Sequence, residues 1–175
     1  MIRRITAIVL LLCTAFPISA AELEAAERKE LISRATTMLD GFRKGETEII
    51  IRMTHPAIYG LTGGKEAFER MAHDAMTSIA GAGLKIEETR IGNPSRTWQA
   101  GKETVCFVPV SIVFSMTDKK IRSNSYYVAV KGETSPDWLF LDGSGFDKKP
   151  EVLKQILPGL PIDIEFPKIY QETVE

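Results

Sequence analysis

The spacing of apolar residues changes once along this chain, close to Leu84. Before that point they recur every three or four positions. After it they alternate. The first spacing lays one stripe along a helix, and the second lays one face along a strand. Helices first and an antiparallel meander second make an α+β chain.

The helical part opens at 22–43, where Leu31, Ile32, Ala35, Met38, Leu39 and Phe42 form the stripe. Glu27, Arg28, Glu30 and Arg34 fill the other side, and Gly41 and Gly45 bracket the end. Residues 46–53 read two ways. Ile49, Ile50 and Ile51 favour a strand by propensity, while Glu46, Glu48 and the short length suit a brief helix. The elements that follow favour the helix. Thr54, His55 and Pro56 break the pattern, and 60–64 reads as a turn-rich loop. A second long helix is expected over 65–80, with Phe68, Met71, Ala72, Ala75, Met76 and Ile79 in one stripe. Gly81 and Gly83 stop it.

Strands are expected over 84–91, 103–116, 121–131 and 138–142. The second is the strongest, with Cys106, Val108, Val110, Ile112, Phe114 and Met116 at alternate positions. Thr117, Asp118, Lys119 and Lys120 read as a hairpin turn. Pro109 lies inside that strand, where proline cannot donate to a ladder, so it should mark an edge or a bulge. The even-numbered residues of the strand are expected on the concave face. A short helix is expected over 150–156, followed by a stiff tail containing Pro158, Pro161 and Pro167.

The amino terminus reads as an export leader. Arg3 and Arg4 precede an apolar run over 5–16, then Pro17 and small residues up to Ala21. The run is shorter than the roughly 20 residues needed to cross a bilayer. Cleavage fits after Ala20 or after Ala21. The second is preferred, because Ser19 and Ala21 then hold the small-residue positions. The expected organisation is a leader over 1–21 and one domain over 22–175, periplasmic or secreted. Losing Arg3 and Arg4 from 22 basic residues, against 23 acidic ones, leaves a net charge of −3. No basic patch stands out, which disfavours nucleic acid and, once the leader is gone, a membrane surface. Cys106 is then the remaining cysteine, without an internal disulfide partner, and it reads as a small buried hydrophobe. Neither H-E-x-x-H nor C-x-x-C occurs, and no cofactor or metal is expected.

The stretches 41–46, His55-Pro56, Gly63-Gly64-Lys65-Glu66-Ala67-Phe68 and the hairpins over 103–142 carry a resemblance. Their order resembles the nuclear transport factor 2-like (cystatin-like cone) superfamily, in an exported bacterial branch. The resemblance implies a curved sheet packed around helices as a cone, whose open end holds an apolar ligand or an active site. It also implies that sheets pair subunits, so a homodimer is expected. Active members use aspartates and tyrosines in the cone for proton abstraction or water activation. Asp142, Tyr127 and Tyr126 are the nearest residues here by type.

Each candidate has a structural alternative. His55 is either a general base at the cone mouth or a loop residue capping a helix end. Asp142, followed by Gly143, suits a turn as well as a base. His73 belongs on a solvated helix face, and Gly63-Gly64 serves a helix start better than an anion cradle. Phe107, Phe114, Tyr127, Trp138 and Phe140, with Trp98, are expected as core and cavity wall, and hence as ligand-binding residues. Arg122, Asn124 and Ser125 are expected at an exposed edge or partner surface. The favoured expectation is a non-catalytic module for a small apolar ligand or a protein partner in the periplasm. The alternative is a small isomerase or hydrolase with Asp142 as base, Tyr127 as hydrogen-bond donor and His55 as helper.

Overall fold

The structure, a computed structural model, describes residues 21–116, 119–133, 135–147, 149–161 and 163–174. The expected leader up to residue 20 lies outside them, as do Thr117 and Asp118 of the expected hairpin turn. The fold is α+β: amino-terminal helices, then a curved antiparallel sheet that does not close into a barrel.

Helix α1 spans Ala25–Lys44 and ends on Gly45, whose φ of 74° lets its N–H reach the carbonyls of Gly41 and Phe42. Helix α2, Thr47–Met53, contains all three isoleucines. Their strand propensity loses to burial. Ile51 is buried, and Ile49 and Ile50 pack against the core. Gly41 permits this approach, because a Cβ there would lie 2.9 Å from Ile49 Cγ2. The expected loop over 60–64 instead holds a short helix, α3, Tyr59–Thr62, after a 3-10 turn at Pro56–Ile58. Helix α4, Lys65–Gly81, follows Gly63 and Gly64, both with positive φ.

The strands are β1 Lys85–Ile91, β2 Thr97–Ala100, β3 Glu103–Met116, β4 Lys119–Gly132, β5 Leu139–Asp142 and β6 Tyr170–Val174. Helix α5, Pro150–Ile156, lies between the last two. Strands β2 and β6 had no counterpart among the expected elements: four-residue β2 is too short to show a period, and β6 lies past the prolines of the expected tail. Strands β3 and β4 form the centre, 14 residues each. The outer side of β3 is shared by β2, which pairs 103–106, and β1, which pairs 110–115. The outer side of β4 is shared by β5, which pairs 127–130, and β6, which pairs 120–124.

Both outer ladders therefore break at the same level, where Pro109 pairs with Tyr126. Pro109 is not a bulge, since pairing with β4 runs unbroken through it. The register shift lies in β1, between Ile86 and Glu88. Pro109 faces the gap between β1 and β2, where a missing N–H interrupts no ladder. Its carbonyl accepts from Gly92 N–H at 2.8 Å. Ser95 closes the rest of the gap: its N–H donates to Phe107 O at 2.8 Å, and its Oγ accepts from Phe107 N–H at 2.9 Å.

One core layer joins α1 to the concave face through Leu31, Ala35, Met38, Leu39, Cys106, Val108, Tyr127, Trp138 and Phe140. The other joins the convex face to α5 and the carboxy-terminal segment through Phe107, Tyr126, Val128, Leu141, Leu153, Leu157 and Leu160. Even-numbered β3 residues do face the helices, as their alternation predicts.

Candidate functional site

The two long helices meet the sheet differently. Helix α1 buries Leu31 and Ala35 completely. In α4 only Phe68 is buried, and Met71 is 50 % exposed. The apolar stripe of α4 faces the concave sheet without closing onto it, and a pocket of about 530 Å³ lies between them.

Its apolar walls come from four elements, α1, α2, α4 and β3. Helix α4 supplies Phe68, Met71, Ala72, Ala75, Met76 and Ile79, and α1 supplies Met38 and Phe42. Strand β3 supplies Val110, Ile112 and Phe114, with Ile50 beside them. The polar side is confined to β4, the end of β5 and the turn after it: Ser123, Ser125, Tyr127, Asp142 and Ser144. Ser123, Ser125 and Tyr127 lie two residues apart, so strand alternation puts them on one face. Asp142 is the cross-strand partner of Tyr127 and shares that face.

Asp142 is exposed and caps the 3-10 turn Gly143–Phe146. Its Oδ1 accepts from Ser144 N–H at 3.0 Å, and its Oδ2 accepts from Ser144 Oγ at 2.7 Å. The turn reading of Asp142 and its place on the pocket wall both hold. Tyr127 is 8 % exposed and packs on Phe140 with ring centroids 5.6 Å apart. Burial, and secondarily the Asp142 carboxylate, raises its phenol far above the ordinary tyrosine range, so the group is neutral. Tyr126 borders the pocket but belongs to the opposite core layer. Burial, then Asp147 and Asp142, pushes it up to about 12. The Oγ of Ser125 is buried and has no partner among the described residues.

His55 does not join this group. Its Nδ1 accepts from Ala57 N–H at 3.4 Å, and its Nε2 lies 3.2 Å from Glu103 Oε1. That pairing requires the tautomer with its proton on Nε2, donated to Glu103. Burial lowers the His55 pKa, against the raising effect of Glu103. Its own N–H reaches Phe140 O at 2.9 Å. His55 is a cap and a strut, so the proposed convergence of Asp142, Tyr127 and His55 does not occur.

The expected aromatic wall divides. Phe114 and Tyr127 line the pocket. Trp138 and Phe140 are fully buried in the α1 layer, and Phe107 packs on the far face against Trp98, Tyr126 and Phe166. Ser123 and Ser144 had no signal in sequence, since a serine on a strand or turn is usually solvated. The methionines of α4 were visible as a stripe, but their incomplete burial was not.

A second groove of about 680 Å³ lies on the convex face, lined by Glu88, Arg90, Ser111, Arg122, Asn124 and Glu172, with Thr89 and Val113. Arg122 donates to Glu172 at 3.2 Å, and Nδ2 of Asn124 is buried without a partner among the described residues. Strand β4 is thus interior, so Arg122, Asn124 and Ser125 are not an edge: the first two face this groove and the third faces the apolar pocket. His73 is exposed, 3.5 Å from Glu48. Cys106 is buried, with its thiol pushed up to about 11 by burial and its Sγ donating to Ser95 O at 3.2 Å, which suits packing rather than attack.

Comparison with sequence-family models, curated proteins and solved structures returns no match.

Proposed function

We propose that this protein is an exported, nuclear transport factor 2-like binding module that holds a small apolar ligand without transforming it. The observation that carries this reading is the half-buried stripe of α4 facing an apolar stretch of sheet across 530 Å³. That volume lies within the roughly 300–1,000 Å³ of small-molecule sites, and such sites are mostly apolar with a few placed polar groups. Leaving Met71 and its neighbours against water forfeits burial that a ligand would supply, at about 25 cal/mol per Å².

Native mass spectrometry of protein recovered from the periplasm tests the reading, together with titration by Nile red, a neutral apolar dye. We expect a retained small mass, or saturable dye binding that Met76→Arg abolishes. Absence of both would overturn the binding reading.

One observation favours a second reading, a small isomerase or hydrolase. Asp142 and Tyr127 pair across β5 and β4 on the pocket wall. A carboxylate base and a neutral phenol donor are the elements of proton abstraction. Turnover of a pocket-sized carbonyl compound or ester, lost in Asp142→Asn, would favour it over the binding module.

A further inference from the structure

We infer that the ligand is a cationic amphiphile, its apolar body on α4 and its protonated amine at Asp142. This rests on the binding reading and specifies the chemistry of that pocket. Among the described lining residues, Asp142 is the one with a formal charge. Its carboxylate accepts only from Ser144, whose two bonds leave acceptor capacity on each oxygen. No ion pair to a lysine, arginine or histidine is made by it among the described residues. Ser123, Ser125 and the Tyr127 phenol continue a polar strip from Asp142 along β4. The opposite wall is apolar throughout. A ligand that lies along this boundary needs one greasy side and a polar end. A carboxylate end would meet the Asp142 charge with no cation among the described lining residues to offset it, whereas an ammonium end gains a charge-assisted hydrogen bond.

The test is displacement of Nile red at about pH 7, where an alkylamine is protonated and a carboxylic acid is ionised. The competitors are dodecylamine, dodecanol and dodecanoate, each below its aggregation concentration. We expect dodecylamine to displace the dye at about tenfold lower concentration than dodecanoate, the effect of one hydrogen bond to a charged group. Asp142→Asn should erase that ranking. Asparagine keeps an acceptor for Ser144 N–H, and Asp142→Ser, another favourable cap, repeats the test should the first variant not fold. Equal or better displacement by dodecanoate, or a ranking unchanged in both variants, overturns the cationic assignment and leaves the pocket a binding site. Failure of all three to displace a saturably bound dye overturns the amphiphile assignment alone, whereas absence of both saturable dye binding and a retained mass overturns the binding reading as well.

A separate observation points to where the export leader is removed. Ala21 pairs with Thr97 at the edge of β2: Thr97 N–H donates to Ala21 O at 2.7 Å, and Ala21 N–H donates to Thr97 O at 3.2 Å. Thr97 Oγ1 donates to the same Ala21 carbonyl at 2.9 Å. Thr97 is 6 % exposed, and Leu23 just beyond is 7 % exposed. Cleavage after Ala21, the choice its small residues favoured, would strip Thr97 of these partners and leave its buried groups without them. Cleavage between Ala20 and Ala21 keeps them and turns the Ala21 nitrogen into a charged donor. We infer that cleavage occurs there. Water hydrolyses that amide: the C–N bond breaks, hydroxide joins the Ala20 carbonyl carbon, and the proton joins the Ala21 nitrogen. Amino-terminal sequencing of the exported protein should begin at Ala21. A start at Glu22 overturns this cleavage site alone, and an intact Met1 start overturns the export reading with it.

Discussion

The level of Pro109 and Tyr126 divides the sheet into a closed half and an open half. In the closed half, β3 from Val105 to Val108 and β4 from Tyr126 to Val130 are buried at every position. Helix α1 covers one face there, and α5 with the carboxy-terminal segment covers the other. In the open half, of residues 111–116 only Val113 is buried, and none of 119–125 is. That half carries most of the apolar pocket on one face, with its polar end at Tyr127 and Asp142 reaching into the closed half, and the charged groove on the other face. The same two strands run through both halves, but β4 is mostly polar over 119–125 and apolar over 126–130, so strand sequence and what is packed above and below it create the difference together. Stability resides in one half and exposed binding surface in the other, a division expected where function needs surface that a core would consume.

The largest effect that tests this division is truncation of a matched pair of aromatics. Phe140→Ala in the closed half should cost about 3–5 kcal/mol of unfolding free energy, and Phe114→Ala in the open half less than about 2 kcal/mol. Denaturant titration reads both, and equal losses would erase the distinction. Phe114→Ala should instead weaken Nile red binding. Next in size is Gly41→Ala, which places a Cβ 2.9 Å from Ile49 Cγ2 where α1 and α2 touch. Overpacking there should cost about 1–3 kcal/mol and lower the melting temperature without altering dye affinity at a temperature where both proteins are folded.

A smaller effect concerns pH. His55 braces the start of β3, in the closed half, and its pKa is lowered in the folded protein. The unfolded chain therefore takes up the proton first. The stability contributed by neutral His55 is present above about pH 6.5 and is lost as pH falls through that value toward the lowered folded pKa. His55→Gln should flatten that segment of the stability profile and cost about 1–2 kcal/mol at neutral pH. A profile unchanged by the substitution would remove the strut. The smallest effect belongs to the open half. Ser125→Ala deletes a buried hydroxyl without a partner among the described residues and should stabilise the ligand-free protein by up to about 1 kcal/mol. Thr97→Val, which removes a hydroxyl bonded to Ala21, should destabilise by a similar amount.

Much of the fold was legible because long elements carry many residues of periodic signal. The α1 stripe, the alternation in β3 and the proline at the start of α5 each name their element. The isoleucines of α2 mislead in isolation, and only their contact with Gly41 and the core makes them helical. The candidate site was legible in part. Phe114, Tyr127 and Asp142 do reach the pocket, because they lie on strands whose faces are set by parity. His55 is drawn away by Glu103, a residue 48 positions distant in sequence. Phe107 has the parity of the far face, and Trp138 and Phe140 are consumed by α1.

By itself the sequence determined where the helices and long strands lie and which side of each is apolar, because periodicity is a local property of neighbouring residues. Tertiary structure alone decided which apolar sides are covered. Helix α1 closes on the sheet and α4 stands off from it, although both carry good stripes. Coverage depends on partners far along the chain, and no local pattern records whether such a partner arrives.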